Sequence, residues 1–240
     1  PDRIAASTYL LAGAVTQGRI CVKDIIPAHL GALLPVMKEA GCDITASGRW
    51  ICMSAPPRLH RVKMTRTMPY PGFPTDVQAP LSAMLTVADG TSVIIENIFE
   101  SRYKHAAELL RFGAKISVEG RMEVIEGVPR LLGAQVVAPD LRGGFALILA
   151  GLAAHGETVV RGVEHIDRGY EKPEQILRSL GADIQRIQDD EEEGFGKHKE
   201  NEYGTGPNTS ADVGSAKADI EADTAAPGES ADGQPPGDVE

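Results

Sequence analysis

The chain has 240 residues, 42% of them hydrophobic, 24% charged and 5% aromatic, with a formal net charge of −10. That length and apolar content can bury one substantial core or two small ones, built mainly from Leu, Ile, Val and Ala. No apolar run approaches the ~20 residues of a membrane-spanning helix, and the basic residues lack the aromatic interleaving of a nucleic-acid surface. The charge is uneven: 15 acidic residues against Lys197, Lys199 and Lys217 fall in 189–240, which leaves 19 acidic and 21 basic residues in 1–188. Residues 189–240 are also rich in Gly, Pro, Ser and Thr and poor in large apolar side chains. Such a segment cannot offset its ordering entropy, so it is expected to be a disordered acidic tail. Cys21, Cys42 and Cys52 are odd in number and lack CxxC spacing. That pattern suits reduced, half-buried thiols in a cytoplasmic protein rather than a disulfide frame or a zinc site. The chain opens on Pro1, not Met, and reads as part of a longer protein.

In chain order, residues 4–18 read as a helix ended by Gly18, and Arg19–Lys23 as a strand. A helix from about Ala28 to Ala40 carries Pro35 inside it, where a kink or break is expected, and Gly41 closes it. Residues 42–46 and 50–53 form a hairpin around Ser47-Gly48-Arg49. Next comes Pro69-Tyr70-Pro71-Gly72-Phe73-Pro74, too rich in proline for helix or central strand. This stiff loop delivers Thr75 and Asp76 to a helix whose apolar positions include Ala79, Leu81, Met84, Leu85 and Ala88. Spacing alone makes Asp76 the N-cap of that helix, because Pro80 then removes only the first intrahelical bond.

The same order then recurs. Residues 91–95 read as a strand, 103–112 as a helix ended by Gly113, and 114–118 with 122–125 as a hairpin. A third pass holds a helix over 144–154, a strand at 158–160, a helix over 173–180 and a final strand at 182–185. The helix-ending glycines stand at 18, 90 and 156, and again at 41, 113 and 181, in steps of 72 and 66, then 72 and 68. This period fits an α/β domain of three copies of one supersecondary unit, about 1–68, 69–138 and 139–188, with Ala- and Leu-rich helices inside and sheets outside.

The joints between units collect unusual residues: Pro74-Thr75-Asp76, Pro139-Asp140-Leu141-Arg142-Gly143-Gly144, Ile98-Phe99-Glu100-Ser101-Arg102, and His165-Ile166-Asp167-Arg168. Arg102 and Arg168 hold corresponding places in two units. If the units are related by rotation, these arginines approach one another at one end of the domain, where Arg142 joins them beside a carboxylate. Guanidinium forks suit phosphate and carboxylate groups, and helix N-termini add N–H donors, so a small anionic substrate is expected there. The six histidines show no metal spacing, and no Walker, GxGxxG or GxSxG motif is present.

Five separated stretches in order, Pro1-Asp2-Arg3-Ile4, residues 71–79, residues 98–103, Asp140-Leu141-Arg142 and residues 165–171, resemble the C-terminal half of the UDP-N-acetylglucosamine 1-carboxyvinyltransferase family. The resemblance covers about residues 1–188. It implies an inside-out α/β barrel domain of three αβ units, a partner N-terminal domain, and no cofactor or metal. It also implies transfer of the enolpyruvyl group of phosphoenolpyruvate to the 3-hydroxyl of UDP-N-acetylglucosamine, with release of phosphate, at the start of bacterial peptidoglycan synthesis. Carried over, Asp76 matches the family's aspartate on the sugar 3-hydroxyl, its proposed base. Ile98, with Phe99 beside it, matches a position contacting the UDP-sugar. Arg102, Arg142 and Arg168 match arginines of the phosphoenolpyruvate and phosphate region, with Arg168 counted among the catalytic positions, and Asp140 matches an acidic residue near the reacting centre. No cysteine here matches the family's mobile-loop proton donor. Pro139, Gly143-Gly144-Phe145 and Ser101 depart from the family's usual Thr, Ala-Ser-Ala and Asn. The readings left beside this one are the shikimate-pathway enolpyruvyl transferase and a non-catalytic half-enzyme that binds or regulates.

Overall fold

Three helices with almost no polar face decide the architecture. In the computed structural model, which describes residues 1–187, α1 (Arg3–Val15) is followed by β1 (Arg19–Lys23), α2 (Leu33–Glu39), β2 (Asp43–Ser47), β3 (Trp50–Ser54) and β4 (Thr65–Arg66). The second unit holds α3 (Gln78–Leu85), β5 (Thr91–Ile95), α4 (Lys104–Leu109), β6 (Lys115–Glu119), β7 (Met122–Glu126), β8 (Leu131–Leu132) and β9 (Gln135–Val137). The third holds α5 (Leu141–Ala153), β10 (Ala154–His155), β11 (Val159–Arg161), α6 (Glu164–Asp167) and α7 (Pro173–Ser179). The expected acidic tail lies outside the described residues.

Helices α1, α3 and α5 pack on one another. Every residue of α3 is buried, and Leu10, Leu11, Leu81, Met84, Leu85, Phe145, Leu147 and Leu149 form the centre of the core. A helix apolar all round has no solvent face to offer, so it must be enclosed. The sheets close around it: β1-β3-β2 is antiparallel, and β4-β5-β7-β6 is antiparallel except for the parallel β4–β5 pair. The expected layering, helices inside and sheets outside, is what forms. At the C-terminal ends of the three helices a cavity of about 260 Å³ is lined by Val15, Val87 and Ala153 among others, residues that keep the 72 and 66 spacing of the glycines. Five of the six marked glycines, Gly41, Gly90, Gly113, Gly156 and Gly181, take positive φ; at the first unit Gln17 takes it instead of Gly18.

Three expectations change. The 28–40 helix is split: a 3-10 turn covers Pro27–Leu30, and α2 starts at Leu33, which leaves Pro35 in a first turn where its missing N–H costs nothing. The strand expected at 182–185 does not form. The Arg178 guanidinium donates twice to the Ile184 carbonyl, at 3.0 and 2.6 Å, and so occupies an acceptor that a ladder would need. The third unit instead builds parallel pairs with the second, β10 on β8 and β11 on β9. Finally, Cys21 and Cys52 are not reduced thiols but a disulfide, because antiparallel β1 and β3 set them directly opposite, with Cα atoms 4.0 Å apart. Cys42 is the free cysteine among the described residues, and burial pushes its thiol up to about 11.

Candidate active site

The proline loop folds back on itself through Met68 N–H to Phe73 O (2.9 Å) and Gly72 N–H to Pro69 O (2.8 Å), and hands the chain to a 3-10 turn at Thr75–Val77 that runs into α3. Asp76 therefore does not cap. The Val77 N–H is taken by Pro74 O and the Gln78 N–H by Thr75 O, and Pro80 has none to give. The carboxylate points elsewhere: Asp76 Oδ1 accepts from Arg102 Nη2 at 2.8 Å and lies 3.5 Å from Arg142 Nε. The cap expected at Asp76 is instead found at Asp140, whose Oδ1 accepts from the N–H groups of Arg142 (3.1 Å) and Gly143 (2.8 Å) at the start of α5.

Arg142 is held from below. Its guanidinium lies 5.3 Å over the Tyr170 ring, which stacks at 4.2 Å on Phe145, and the Tyr170 and Thr8 hydroxyls are hydrogen-bonded at 2.8 Å. Burial raises the Tyr170 phenol above its ordinary pKa, so it stays neutral beneath the cation. Arg142 Nε and Nη1 are buried without a hydrogen-bond partner. Nε faces the Asp76 carboxylate as an ion pair too long for a hydrogen bond, and the desolvated Nη1 donor favours an anion beside it. Arg102 is also placed by a ring, 4.7 Å above Phe99, and Phe99 and Ile98 stand half-exposed beside it.

Asp76, Arg102 and Arg142 thus meet directly. Arg168 does not join that contact: it is exposed at the end of α6, and its side chain has no hydrogen bond or ion pair among the described residues. It stands next to the start of α5, because Gly169 packs on Leu141 so closely that a Cβ there would come within 2.8 Å of Leu141 Cδ2. The departures at 139 and 143–144 fit one another: a Cβ at Gly143 would meet Pro139 Cγ at 2.8 Å, and one at Gly144 would meet Ala138 Cβ and Ile166 Cγ1 at 2.8 Å. Glu96, fully buried behind this site, belongs to no motif in the sequence. Its signal was the inward alternation of β5, Ser92, Ile94, then Glu96.

The site is thus a cationic pair around a carboxylate, at the starts of two core helices, with two apolar side chains alongside. The family model described as EPSP synthase (3-phosphoshikimate 1-carboxyvinyltransferase) matches residues 1–177. The chain belongs to the carboxyvinyl (enolpyruvyl) transferase family. A protein of Desulfofundulus thermocisternus named UDP-N-acetylglucosamine 1-carboxyvinyltransferase is 50% identical over 191 residues, 80% of this chain and 78% of its own length. The relative of that name in Myxococcus xanthus is 52% identical over 186 residues, 78% of this chain and 44% of its own length. UDP-N-acetylglucosamine 1-carboxyvinyltransferase 2 of Caldanaerobacter subterraneus is 51% identical over 187 residues, 78% of this chain and 45% of its own length. The crystal structure of the enolpyruvyl transferase NikO from Streptomyces tendae superposes with a TM-score of 0.69 at 25% identity, over 77% of this transferase chain and 44% of that one. The chain spans about half the length of most of these curated relatives.

Proposed function

We propose that this chain is the C-terminal half of an enzyme that moves the enolpyruvyl group of phosphoenolpyruvate to the 3-hydroxyl of UDP-N-acetylglucosamine and releases phosphate, at the entry to peptidoglycan synthesis. The observation that carries the reading is the Asp76 carboxylate at 2.8 Å from Arg102 and 3.5 Å from Arg142, with Ile98 and Phe99 exposed beside it. The names of the relatives supply the substrate.

In this reading the sugar hydroxyl oxygen bonds to C2 of phosphoenolpyruvate, and its proton passes to Asp76, the base. A proton reaches the methylene carbon from a donor on the partner N-terminal domain, which this chain does not supply. The tetrahedral adduct, whose former methylene carbon is now a methyl group, then returns one methyl proton to that donor as its C2–O bond to phosphate breaks, so phosphate leaves and the enol ether forms. Arg142, with its buried Nη1 free of any hydrogen bond, and Arg102 and Arg168 hold the negative charge of phosphate and carboxylate through these steps. Ile98 and Phe99 contact the UDP-sugar. Asp140 acts close to the reacting centre by fixing the first turn of α5, and with it Arg142. No metal or cofactor has a part in this scheme.

Two measurements test it. The 240-residue chain alone should give no phosphate release with both substrates; turnover by the chain alone refutes the half-site reading. Joined to its N-terminal half, the enzyme should bind UDP-N-acetylglucosamine in calorimetry, and Asp76→Asn should lower kcat far more than it lowers thermal stability. The family model matched here describes the shikimate enzyme, so shikimate 3-phosphate is the competing ligand: preferential binding of it over the UDP-sugar assigns that reaction instead. Binding of either ligand without turnover in the joined protein assigns a non-catalytic role.

A further inference from the structure

The strongest group that the scheme above leaves unused is Glu96. Its side chain is fully buried, and its two oxygens are divided between two loops. Oε1 accepts from Thr67 Oγ1 (2.7 Å) and from the N–H groups of Ile98 (2.7 Å) and Phe99 (3.1 Å). Oε2 accepts from Thr75 Oγ1 at 2.7 Å. Thr67 Oγ1 in turn accepts from the Asn97 N–H at 2.8 Å, so one arm grips the whole 97–99 turn. The other arm ends on the residue immediately before Asp76. Among the described residues no lysine, arginine or histidine pairs with this carboxylate. A buried carboxylate without a cation is costly and is held only by its hydrogen bonds. Neutral turn chemistry could have closed either loop; only a two-oxygen acceptor ties both to one atom group.

We propose that Glu96 is a positioning residue that sets the distance between Asp76 and the Ile98–Phe99 turn, and so registers the UDP-sugar's hydroxyl against its base. This rests on the function proposed above. The two arms divide the work. Thr75 controls where Asp76 stands relative to a bound hydroxyl, a placement felt in the reacting geometry. Thr67 controls the Asn97–Phe99 turn, a placement felt in ground-state binding of the nucleotide sugar. Misplacing a reacting group by about 1 Å costs on the order of a hundredfold in rate, whereas loss of uniform binding appears in KM alone.

The test uses the two-domain enzyme containing this chain, with kcat and KM from phosphate release and Tm from calorimetry. Thr75→Val should lower kcat by about tenfold or more with the UDP-N-acetylglucosamine KM within about twofold, and Thr75→Ser should restore it. Thr67→Val should raise that KM by about fivefold or more with kcat within about twofold, and Glu96→Gln should show both effects. A merely structural carboxylate would lower Tm in all three without dividing kcat from KM. The proposal is overturned if Asp76→Asn abolishes turnover while Thr75→Val and Thr67→Val keep both constants, or if the two variants shift the constants alike. A wild-type enzyme that binds no UDP-sugar, or an Asp76→Asn variant at full kcat, overturns the underlying function and this proposal with it.

Discussion

Replacing Asp140 and Asp76 by alanine, one at a time, separates a helix cap from a site carboxylate. Both aspartates follow a proline by one or two residues and stand at the start of a core helix, yet they are used differently. Asp140 Oδ1 satisfies two N–H groups at the head of α5, a 13-residue helix buried against α1 and α3. Removing such a cap costs about 0.5–2 kcal/mol, and the lost charge at the positive end of the helix dipole adds roughly 0.3–1 kcal/mol. Asp140→Ala should therefore destabilise by about 1–3 kcal/mol, a fall in Tm of about 2–4 °C for each kcal/mol at this size. Asp140→Asn or Ser, which keep a side-chain acceptor, should recover most of it. Asp76 caps nothing, and its side chain is 41% exposed at the Arg102 pair. The arginines opposite are 22% and 15% exposed, so the pair is only partly screened, and Asp76→Ala should cost up to about 1 kcal/mol with no cap to be recovered by Asn. Urea denaturation followed by circular dichroism reads both values. If Asp76→Ala costs as much as Asp140→Ala, or if Asn at 140 is no better than Ala, the assignment of the two roles is wrong.

Thiol counting checks the cysteines: the unfolded chain should titrate one thiol without reductant and three with it, and three without reductant would restore the expectation of free thiols. In the folded chain Cys42, whose thiol burial lifts to about 11, should resist alkylation at pH 8. Glu123 is fully buried and accepts from Gln78 Nε2 (3.0 Å) and Ser82 Oγ (2.6 Å), with His105 Nε2 at 3.4 Å from its other oxygen. Glu123→Ala should cost about 3–5 kcal/mol in urea denaturation, because it leaves buried polar groups without their acceptor; a loss under about 1 kcal/mol would refute that. Hydrogen bonds from Arg186 at 2.6 and 2.9 Å, more than its charge, hold the Asp167 carboxyl below the usual carboxylate range. A depressed folded pKa adds stability above the unfolded value near 3.9 and loses it as pH falls through the folded value. Asp167→Asn should therefore flatten the acid limb below about pH 4 and leave the slope between pH 5 and 8 untouched; a changed slope at neutral pH would contradict it.

What the sequence made legible was local. β1, the two hairpins and the core helices carry their own alternation or periodicity, and their glycines mark the ends. Of the short strands, β11 was legible at 158–160, but β8, β9 and β10 were not, because they are two or three residues long and pair across chain separations of more than twenty residues. The disulfide was hidden for a related reason: Cys21 and Cys52 meet only once β1 docks on β3 in one register. Of the site residues, Asp76, Arg102 and Arg142 stand at the joints and do meet, whereas the exposed Arg168 makes no hydrogen bond or ion pair with them. Glu96 carries no motif, and its four donors come from three separate segments.

The inversion of the two aspartates shows what the prolines do. A carboxylate at a helix start is normally captured by the free N–H groups of the first turn. Around Asp76 those groups have been removed in advance. The Pro74 carbonyl takes the Val77 N–H, the 3-10 turn takes the Gln78 N–H, and Pro80 contributes no N–H at all. Asp76 therefore keeps its lone pairs for Arg102 and Arg142, and in the proposed reaction for the sugar hydroxyl. At α5 the reverse holds: no proline follows Asp140 inside the first turn, its oxygen is captured, and the residue that reaches the site is Arg142, carried there by the cap. One helix start presents a carboxylate because its donors are gone; the other presents a guanidinium because its donors are satisfied.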